Sequence, residues 1–149
     1  MNNTKITASG IIVFRNKNNH PEILGLIALP KHRKRSKGKY DFPKGRIDEG
    51  ETPIQAAYRE CYEESSLEPR IINTNKPVIN GPLCLWLGEV SPDDTVALNS
   101  NPYTGEMEHE GYKWLSIKET KKECLNYLRP FIIQSEPIIW DYFNIWRKR

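Results

Sequence analysis

Long apolar runs and paired cysteines are both lacking in this chain of 149 residues. No segment approaches the roughly 18 to 20 uninterrupted apolar residues that a transmembrane helix requires, and the polar start MNNTKITASG lacks the apolar core of a secretion signal. The three cysteines are far apart and form no C-x-x-C pair, which argues against a disulfide framework and a structural zinc site. We therefore expect a soluble, cytoplasmic protein that does not associate with membranes.

The size and composition predict one folded domain over residues 1–149. A chain of this length with 38% apolar residues can bury one hydrophobic core in two or three layers. The sequence shows no internal repeat, low-complexity tract or linker. For the assembly we expect a monomer or a weak homodimer.

Positive charge is concentrated in one segment. Residues 31–39, KHRKRSKGK, contain six lysines and arginines and no acid, and the rest of the chain is negative although the total is +3. One interpretation is a mobile, solvated loop. The other is a basic patch that steers the phosphates of an anionic substrate or RNA, with Arg33 and Arg35 as binding residues.

Apolar patterning predicts a mixed β-sheet. The first two strands are expected to form a hairpin around the turn NKNNHP, and a polar loop should cover residues 91–105. The predicted strands are residues 6–14, 22–29, 71–79, 83–90 and 108–114.

Three helices are also predicted. The first has clear start signals, with Thr52 as N-cap, Pro53 at the first helical position and Gln55 completing a capping box, and it should end near Ser65. Helical spacing predicts a buried face on this helix formed by Ile54, Ala57, Tyr58 and Cys61.

The second helix should span residues 117–128 and end before Pro130, and the third should begin near Glu136. Both are expected to pack on the sheet. The apolar residues assigned to the core side of the third helix are Ile138, Ile139, Tyr142, Phe143 and Trp146.

Three carboxylates crowd one arc of the first helix. At about 100° per residue, Glu60, Glu63 and Glu64 project within roughly 100° of each other, beside the apolar face. Like charges at i,i+4 and anions near a helix C-terminus are both unfavourable, whereas a hard cation such as Mg²⁺ prefers carboxylate ligands. Arg59 can reach Glu63 at i+4. The alternative is an ordinary solvated acidic face.

The segment GRIDEGETPIQAAYRECYEESSL, residues 45–67, resembles the Nudix box of hydrolases acting on nucleoside diphosphates linked to another moiety. In that signature a glycine, a glutamate, an Arg-Glu pair and a Glu-Glu pair recur at the spacing found here. Two positions depart from it. Ser66 replaces the second glycine, where we expect a strained left-handed conformation, and Cys61 replaces an aliphatic residue that it can imitate in packing.

The resemblance implies an α/β fold, an α/β/α sandwich around a mixed sheet. It implies Mg²⁺, or Mn²⁺ as a substitute, and attack of a metal-activated water on phosphorus without a covalent intermediate. It also implies that Arg59 orients Glu63, which is a ligand or the general base, and that Glu51 acts through water or by fixing the loop. The implied metal ligands are Gly45, Glu60, Glu64 and Glu63.

Two further segments narrow the substrate. YDFPKG, residues 40–45, resembles the corresponding stretch of diadenosine tetraphosphate hydrolases and mRNA-decapping enzymes. EHEGYKWL, residues 108–115, resembles the strand that contributes another acidic residue in asymmetrical diadenosine tetraphosphate hydrolases. We favour Glu108, which directly precedes His109 in the chain, over Glu110 as that acidic residue. Whether Glu63 or Glu108 is the general base is left open.

Other residues are compatible with a polyphosphate substrate. Lys44 and the basic segment could neutralise phosphates away from the metal, and a tyrosine could stack on a nucleobase. The candidates are Tyr40, Tyr103 and Tyr112, of which Tyr103 is favoured because it lies just before the acidic strand.

The leading hypothesis is therefore hydrolysis of diadenosine tetraphosphate to ATP and AMP. The nearest alternative is the 5′ cap of mRNA, gripped by the basic segment and the RKR tail at residues 147–149, although the chain is too short for a separate RNA-binding domain. A diphosphoinositol polyphosphate would also suit the basic segment. A catalytically inactive nucleotide- or RNA-binding module is disfavoured because the helix glutamates are retained.

Overall fold

The computed structural model describes residues 5–147, with side chains up to residue 144. Its strands are β1 (Ala8–Lys17), β2 (His20–Ala28), β3 (Tyr40–Asp41), β4 (Lys44–Arg46), β5 (Arg70–Ile71), β6 (Val78–Asn80), β7 (Leu83–Val90) and β8 (His109–Leu115). Its helices are α1 (Pro30–Ser36), α2 (Pro53–Ser65), α3 (Ile117–Glu123) and α4 (Arg129–Arg147), with a 3₁₀ turn at Asn126–Leu128. Among these described helices, none is long and apolar enough to cross a membrane.

The strands form a mixed sheet with β1 at its centre. β1 pairs antiparallel with β2 and β4 and parallel with β7. The main strand order is β3-β2-β1-β7-β5, while β8 extends from β2 and β6 pairs with β7. The predicted mixed sheet is confirmed. Pairing with the central strand β1 positions β4, whose residues line the candidate site.

Helices cover both faces of the sheet. Alternate side chains of β1 point to opposite faces: Ile12 and Phe14 pack with α3 and α4, and Ile11 and Val13 pack with α2. The two hydrophobic clusters form the two interfaces of a three-layer arrangement. The implied α/β/α sandwich is therefore confirmed.

The predicted hairpin is present but its turn is shorter than NKNNHP. Asn18 and Asn19 both have positive φ, at 52° and 67°, and Lys17 pairs with His20. Two central residues of positive φ match the twist of the flanking strands, and asparagine tolerates this conformation. The strands therefore extend further toward the turn than the apolar pattern indicated.

The predicted basic loop is wrong in part, because residues 30–36 are the helix α1. Pro30 occupies its first position, where the missing N–H is not needed, and lysine and arginine are good helix formers. Helical periodicity was not visible in the sequence because α1 buries no residue.

The predicted strand at residues 71–79 was also wrong. It is divided into β5 and β6 by a turn in which the amide N–H of Lys76 donates to the carbonyl of Asn73 at 3.0 Å. The side chain of Asn73 donates back to the carbonyl of Lys76 at 3.1 Å, so one asparagine closes the turn from both sides. β8 begins one residue later than predicted.

The last two helices have different bounds from those predicted. α3 ends at Glu123 because the next residues leave the helix to pair with β3, where the Leu125 N–H donates to the Tyr40 carbonyl at 2.9 Å. Pro130 does not stop a helix but lies in the first turn of α4, where proline is tolerated. α4 therefore begins at Arg129 and includes Pro137. Both helices pack on the sheet as expected, and the side chain of Trp146 lies outside the described residues.

The start of α2 is as predicted. The Thr52 hydroxyl accepts from the Gln55 N–H, and the Gln55 side chain accepts from the Thr52 N–H, which completes the capping box. The buried face was predicted incorrectly at Tyr58, which is 40% exposed. α2 is rotated so that its small and acidic residues contact the sheet, and the buried positions are Ala56, Ala57, Cys61, Glu64 and Ser65.

Ser66 ends α2 in the predicted left-handed conformation, with φ 65°. Its hydroxyl donates to the Ala97 carbonyl at 2.9 Å and accepts from the Asn99 side chain at 2.8 Å. Asn99 also donates to the Glu63 carbonyl at 3.1 Å. The serine that replaces glycine in the signature therefore attaches the loop after β7 to the end of α2.

Replacing Ser66 separates its strain from its hydrogen bonds. Ser66→Ala loses the hydroxyl but keeps a Cβ at positive φ, so we expect the free energy of unfolding to fall by about 1–2 kcal/mol. Ser66→Gly loses the same hydrogen bonds but relieves roughly 1 kcal/mol of strain, and it should be more stable than the alanine variant. Urea denaturation measures the free energy of unfolding of both variants. Equal values for the two variants would contradict the claim that a side chain at position 66 is strained.

Candidate active site

Arg59 joins the carboxylates of α2 to the loop before the helix. Its Nε and Nη2 donate to the two carboxylate oxygens of Glu51 at 2.7 and 2.9 Å, and Nη2 also donates to the Arg46 carbonyl. Its Nη1 donates to Glu60 at 3.0 Å and to Glu63 at 3.1 Å, so the expected contact with Glu63 is present. Hydrogen bonds from Arg59 hold the pKa of Glu51 below its usual value. Glu51 therefore contacts Arg59 directly.

Glu60 and Glu64 are held against β4. A Cβ atom at Gly45 would collide with the carboxyl group of Glu60, so glycine permits this close approach. Burial, reinforced by the charge of Asp41 and a hydrogen bond with Glu60, raises the pKa of Glu64 well above its ordinary value. Burial also raises the pKa of Glu60. Two negative charges on these neighbouring carboxyl groups are therefore unfavourable in the absence of a compensating cation.

This pair fits a hard divalent cation. Oε2 of Glu64 is buried and makes no hydrogen bond within the described part of the chain, and such an unsatisfied acceptor costs about 1–3 kcal/mol. A divalent cation would satisfy that oxygen and compensate both carboxylate charges. Across residues 5–147, no three acidic, histidine or cysteine side chains already converge as metal ligands, and Arg59 binds Glu60 and Glu63 instead.

A second network, which the sequence analysis missed, borders Glu64. Lys44 Nζ lies 2.9 Å from Asp41 Oδ1, and His109 Nε2 lies 2.9 Å from Asp41 Oδ2. The other ring nitrogen of His109 lies 3.9 Å from a carboxylate oxygen of Glu64. Burial opposes ionisation of Asp41, but Lys44 and His109 outweigh it and lower its pKa to about 2. Lys44, which was predicted to bind phosphate, therefore already has Asp41 as its ion-pair partner. The i,i+3 spacing of Asp41 and Lys44 within YDFPKG was the feature of the sequence that could have predicted this pair.

Three of the cavities in the described part of the chain adjoin these groups, and the first, the polar cavity, lies between α1 and the loop before β8. Its volume is about 630 Å³. Arg35 lines it, whereas Arg33 is exposed outside this lining. The basic tail at residues 147–149 lies outside the described side chains. The lining residues are Leu29, Lys31, His32, Arg35, Ser36, Asp41, Lys44, Glu64, Asn101, Thr104, Glu106, Met107, Glu108, His109, Leu125 and Tyr127.

The second, the acidic cavity, has a volume of about 280 Å³ and contains the carboxylates of α2. Glu108 lines both this cavity and the polar cavity, and its carboxylate accepts from the Asn101 side chain at 2.9 Å. Glu110 is exposed and lines neither. Glu108 thus lies at the cavities and Glu110 does not, and the role of Glu108 as the additional acidic residue stays a prediction. The lining residues are Lys44, Gly45, Arg46, Asp48, Arg59, Glu60, Glu63, Glu64, Asn99, Ser100, Asn101, Pro102, Tyr103 and Glu108.

The three tyrosines proposed for stacking occupy different environments. Tyr40 is 3% exposed and pairs through its backbone with α3's C-terminal segment, so its ring is unavailable and this prediction is corrected. Tyr103 is 80% exposed at the acidic cavity. Tyr112 is exposed on β8 opposite Leu26 and lines none of the three cavities.

The third, the apolar cavity, was not anticipated and adjoins Gly45 on the side of α4. Its volume is about 490 Å³. Tyr127 forms part of its wall, and Lys44 Nζ lies 5.4 Å from the centre of the Tyr127 ring. The only related pattern in the sequence is the spacing of apolar residues around α4, and that pattern predicted a hydrophobic core, not a cavity. The lining residues are Ala8, Lys44, Gly45, Arg46, Asn80, Pro82, Leu83, Tyr127 and Phe131.

Known proteins resemble this chain in sequence and in fold. The RNA pyrophosphohydrolase of Francisella tularensis is 26% identical over an alignment of 131 residues, and the match covers 66% of this chain and 83% of that protein. The RNA pyrophosphohydrolase of Bartonella tribocorum is 36% identical over 83 residues, 55% of this chain and 42% of that protein. Among solved structures, C. elegans Ap4A hydrolase in a binary complex has a TM-score of 0.71 at 22% identity, covering 91% of this chain and 98% of that chain.

The structural likeness, at this low identity, concerns the fold. The NUDIX domain model matches residues 4–133, which include the carboxylates of α2, Gly45 and the network around Asp41. The chain therefore belongs to the NUDIX family.

Proposed function

We propose that the protein hydrolyses a phosphoanhydride bond in a dinucleoside polyphosphate, diadenosine tetraphosphate, to give ATP and AMP. The observation that carries the proposal is the pair formed by half-buried Glu60 and buried Glu64 beside Gly45, with one carboxylate oxygen of Glu64 unsatisfied within the described residues. Glu64 lines the polar and acidic cavities, and Gly45 lines the acidic and apolar cavities. Gly45, Glu60 and Glu64 would hold Mg²⁺, or Mn²⁺ in its place, and Glu63 and Glu108 are further candidate ligands. The similarity to the fold of an Ap4A hydrolase supports this substrate class.

The residues of this chain have distinct roles in the proposed reaction. A bound divalent cation supplies charge compensation at the phosphates and acidifies a water. Glu63, positioned by two-point contact of Arg59 with the helix and the loop, accepts the proton of the attacking water. The water oxygen bonds to phosphorus as the bridging P–O bond breaks, and the departing phosphate carries the bond electrons. Lys44, held by Asp41, faces the remaining phosphates.

The apolar cavity provides a site for a nucleobase. It combines the ring of Tyr127 with apolar side chains, and it shares Lys44, Gly45 and Arg46 with the acidic cavity. Aromatic rings and apolar side chains favour flat heterocycles. A nucleoside placed there has its phosphates beside Lys44, which lines all three cavities.

A second candidate substrate is the 5′ end of an RNA. One observation favours it: α1 presents several cations without carboxylate partners at the rim of the polar cavity. The sequence relatives named RNA pyrophosphohydrolase agree with this candidate. The same carboxylates would serve the same chemistry.

Product analysis tests the proposed function. With Mg²⁺ and diadenosine tetraphosphate, the wild-type protein should form equal amounts of ATP and AMP, measured by ion-exchange chromatography. Glu63→Gln removes the proton acceptor and should lower kcat by about 100-fold or more. The exposed residue change Glu110→Gln is the matched control and should leave kcat within about twofold.

Two results would contradict these assignments. If Glu108→Gln lowers kcat far more than Glu63→Gln, the base is Glu108. If the wild-type protein leaves diadenosine tetraphosphate intact but removes phosphates from the 5′ end of an RNA, the second candidate replaces the first.

The raised pKa of Glu64 predicts a pH-dependent stability. A carboxyl group whose pKa is raised by folding stabilises the protein fully below its unfolded value near 4.5, and this contribution is lost as the pH rises through the folded value. In a chelator, Glu64→Gln should therefore increase the free energy of unfolding by about 1–3 kcal/mol at pH 8. The gain should shrink toward pH 5.

Urea denaturation across this pH range measures the effect, with Glu110→Gln as the control. Mg²⁺ should then stabilise the wild-type protein and have less effect on Glu64→Gln, because binding to the folded state raises its stability. A Glu64→Gln variant that is less stable at pH 8, or equally stabilised by Mg²⁺, would remove Glu64 from the metal site.

Loss of the Tyr127 ring should weaken substrate binding. We expect Tyr127→Ala to raise KM for diadenosine tetraphosphate by about tenfold, in the range of a lost stacking contact of about 1–3 kcal/mol, with a smaller change in kcat. Tyr127→Phe should retain most of the affinity. Steady-state kinetics measures both, and an unchanged KM in the alanine variant would place the nucleobase elsewhere.

A further inference from the structure

α1 concentrates positive charge that the protein itself does not neutralise. It has no side-chain N-cap, no acid in its first turn and no buried residue. Within the described residues, its lysines and arginines have no ion-pair or hydrogen-bond partner through their side chains. Some other cations of the protein do have carboxylate partners, as Arg15 has in Glu22 and Lys121 has in Glu136. Lys31 and Arg35 also repel each other at i,i+4, and no acidic residue within the helix offsets this repulsion.

The cations of α1 divide between two faces. At about 100° per residue, Lys31, His32 and Arg35 share one face, and all three line the polar cavity. Arg33 and Lys34 project from the opposite side and, with Lys37, are exposed outside the cavity lining. A compact polyphosphate in the cavity would contact the first set alone. A chain of phosphates leaving the cavity would reach the second.

The backbone fixes α1 in place at the rim. Before the helix, the Ala28 N–H donates to the Lys39 carbonyl at 3.0 Å, and after it the Lys39 N–H donates to the Glu123 carbonyl at 2.7 Å. The Asn126 N–H donates to the Lys37 carbonyl at 3.1 Å. The opposite wall of the cavity carries Glu106 and Glu108. An anionic chain is thus repelled from one wall and attracted to the other.

We propose that the outer face of α1, formed by Arg33, Lys34 and the adjoining Lys37, docks the sugar-phosphate backbone of a single-stranded RNA whose 5′ end enters the polar cavity. Cleavage at that 5′ end rests on the second candidate substrate of the proposed function, whereas backbone docking does not. Docking supplies the counter-charge that α1 lacks, and its strength depends on RNA length and on salt.

The test compares two double variants with the same net charge. Lys34→Gln/Lys37→Gln removes two outer cations of the docking face, and Lys17→Gln/Lys76→Gln removes two exposed lysines from other surfaces. The probe is a labelled single-stranded RNA of 20 nucleotides with a 5′ hydroxyl, which has no phosphoanhydride bond to cleave. Fluorescence anisotropy gives its Kd at several NaCl concentrations.

We expect the wild-type protein to bind this RNA much more tightly than a trinucleotide. Lys34→Gln/Lys37→Gln should weaken binding by about tenfold at low salt and reduce the slope of log Kd against log[NaCl] by about 1.4, since each phosphate contact on a single strand contributes about 0.7. The control should change neither by a comparable amount. Circular dichroism verifies that both variants are folded.

Three results would overturn the docking surface. These are equal losses in the two double variants, no preference for the longer RNA, and docking-face-dependent binding to phosphatidylserine vesicles without RNA binding. The assay with diadenosine tetraphosphate keeps the two proposals apart. Hydrolysis without RNA docking leaves the proposed function intact, and docking by α1 without phosphoanhydride cleavage overturns the proposed function alone.

Discussion

The close contact between α2 and β4 governs the architecture of the site. Gly45 has no side chain, so the carboxyl group of Glu60 reaches the backbone of the central sheet. The small residues Ala56 and Ala57 are fully buried on the same helix, and the Ser9 hydroxyl donates to the Pro53 carbonyl at 2.7 Å, which ties the helix start to β1. Two carboxyl groups are consequently held together with little access to water.

Two cations flank that acidic pair without neutralising it completely. Arg59 contacts Glu60 from the loop side but also binds Glu51 and Glu63. On the other side, Lys44 is paired with Asp41, whose negative charge raises the pKa of Glu64 further. Glu64 thus retains a high pKa and an unsatisfied oxygen. This cluster of carboxyl groups is energetically unfavourable by itself. It persists because the packing of α2 on β4 and the hydrogen bonds of Arg59 hold the side chains in place.

Charge is arranged differently at the rim. The cations of α1 have no ion-pair partner within the described residues, whereas Lys44 and Arg59 near the carboxylates are paired, so the rim can bind phosphates without first breaking an internal ion pair. Lys44 also belongs to the walls of all three cavities. Substrate charge entering at α1 and a nucleobase in the apolar cavity would therefore both lie within reach of the same central residues.

The sequence by itself determined the local features: the capping box of α2, the strained conformation of Ser66, the contact between Arg59 and Glu63 and the mixed sheet. Each depends on residues close together in the chain or on simple apolar periodicity. Motif spacing also placed the carboxylates on one helix, but it did not predict that the side chain of Glu64 is buried, with 6% of its surface exposed.

Only the tertiary structure decided which side chains meet across the chain. It brought His109 to Asp41 over 68 positions, buried Tyr40, exposed Tyr58 and joined Tyr127 to Lys44 beside Gly45. It also formed α1 from a segment that reads as a loop. These outcomes depend on packing and on backbone pairing between distant segments, for which local propensity and periodicity carry no signal.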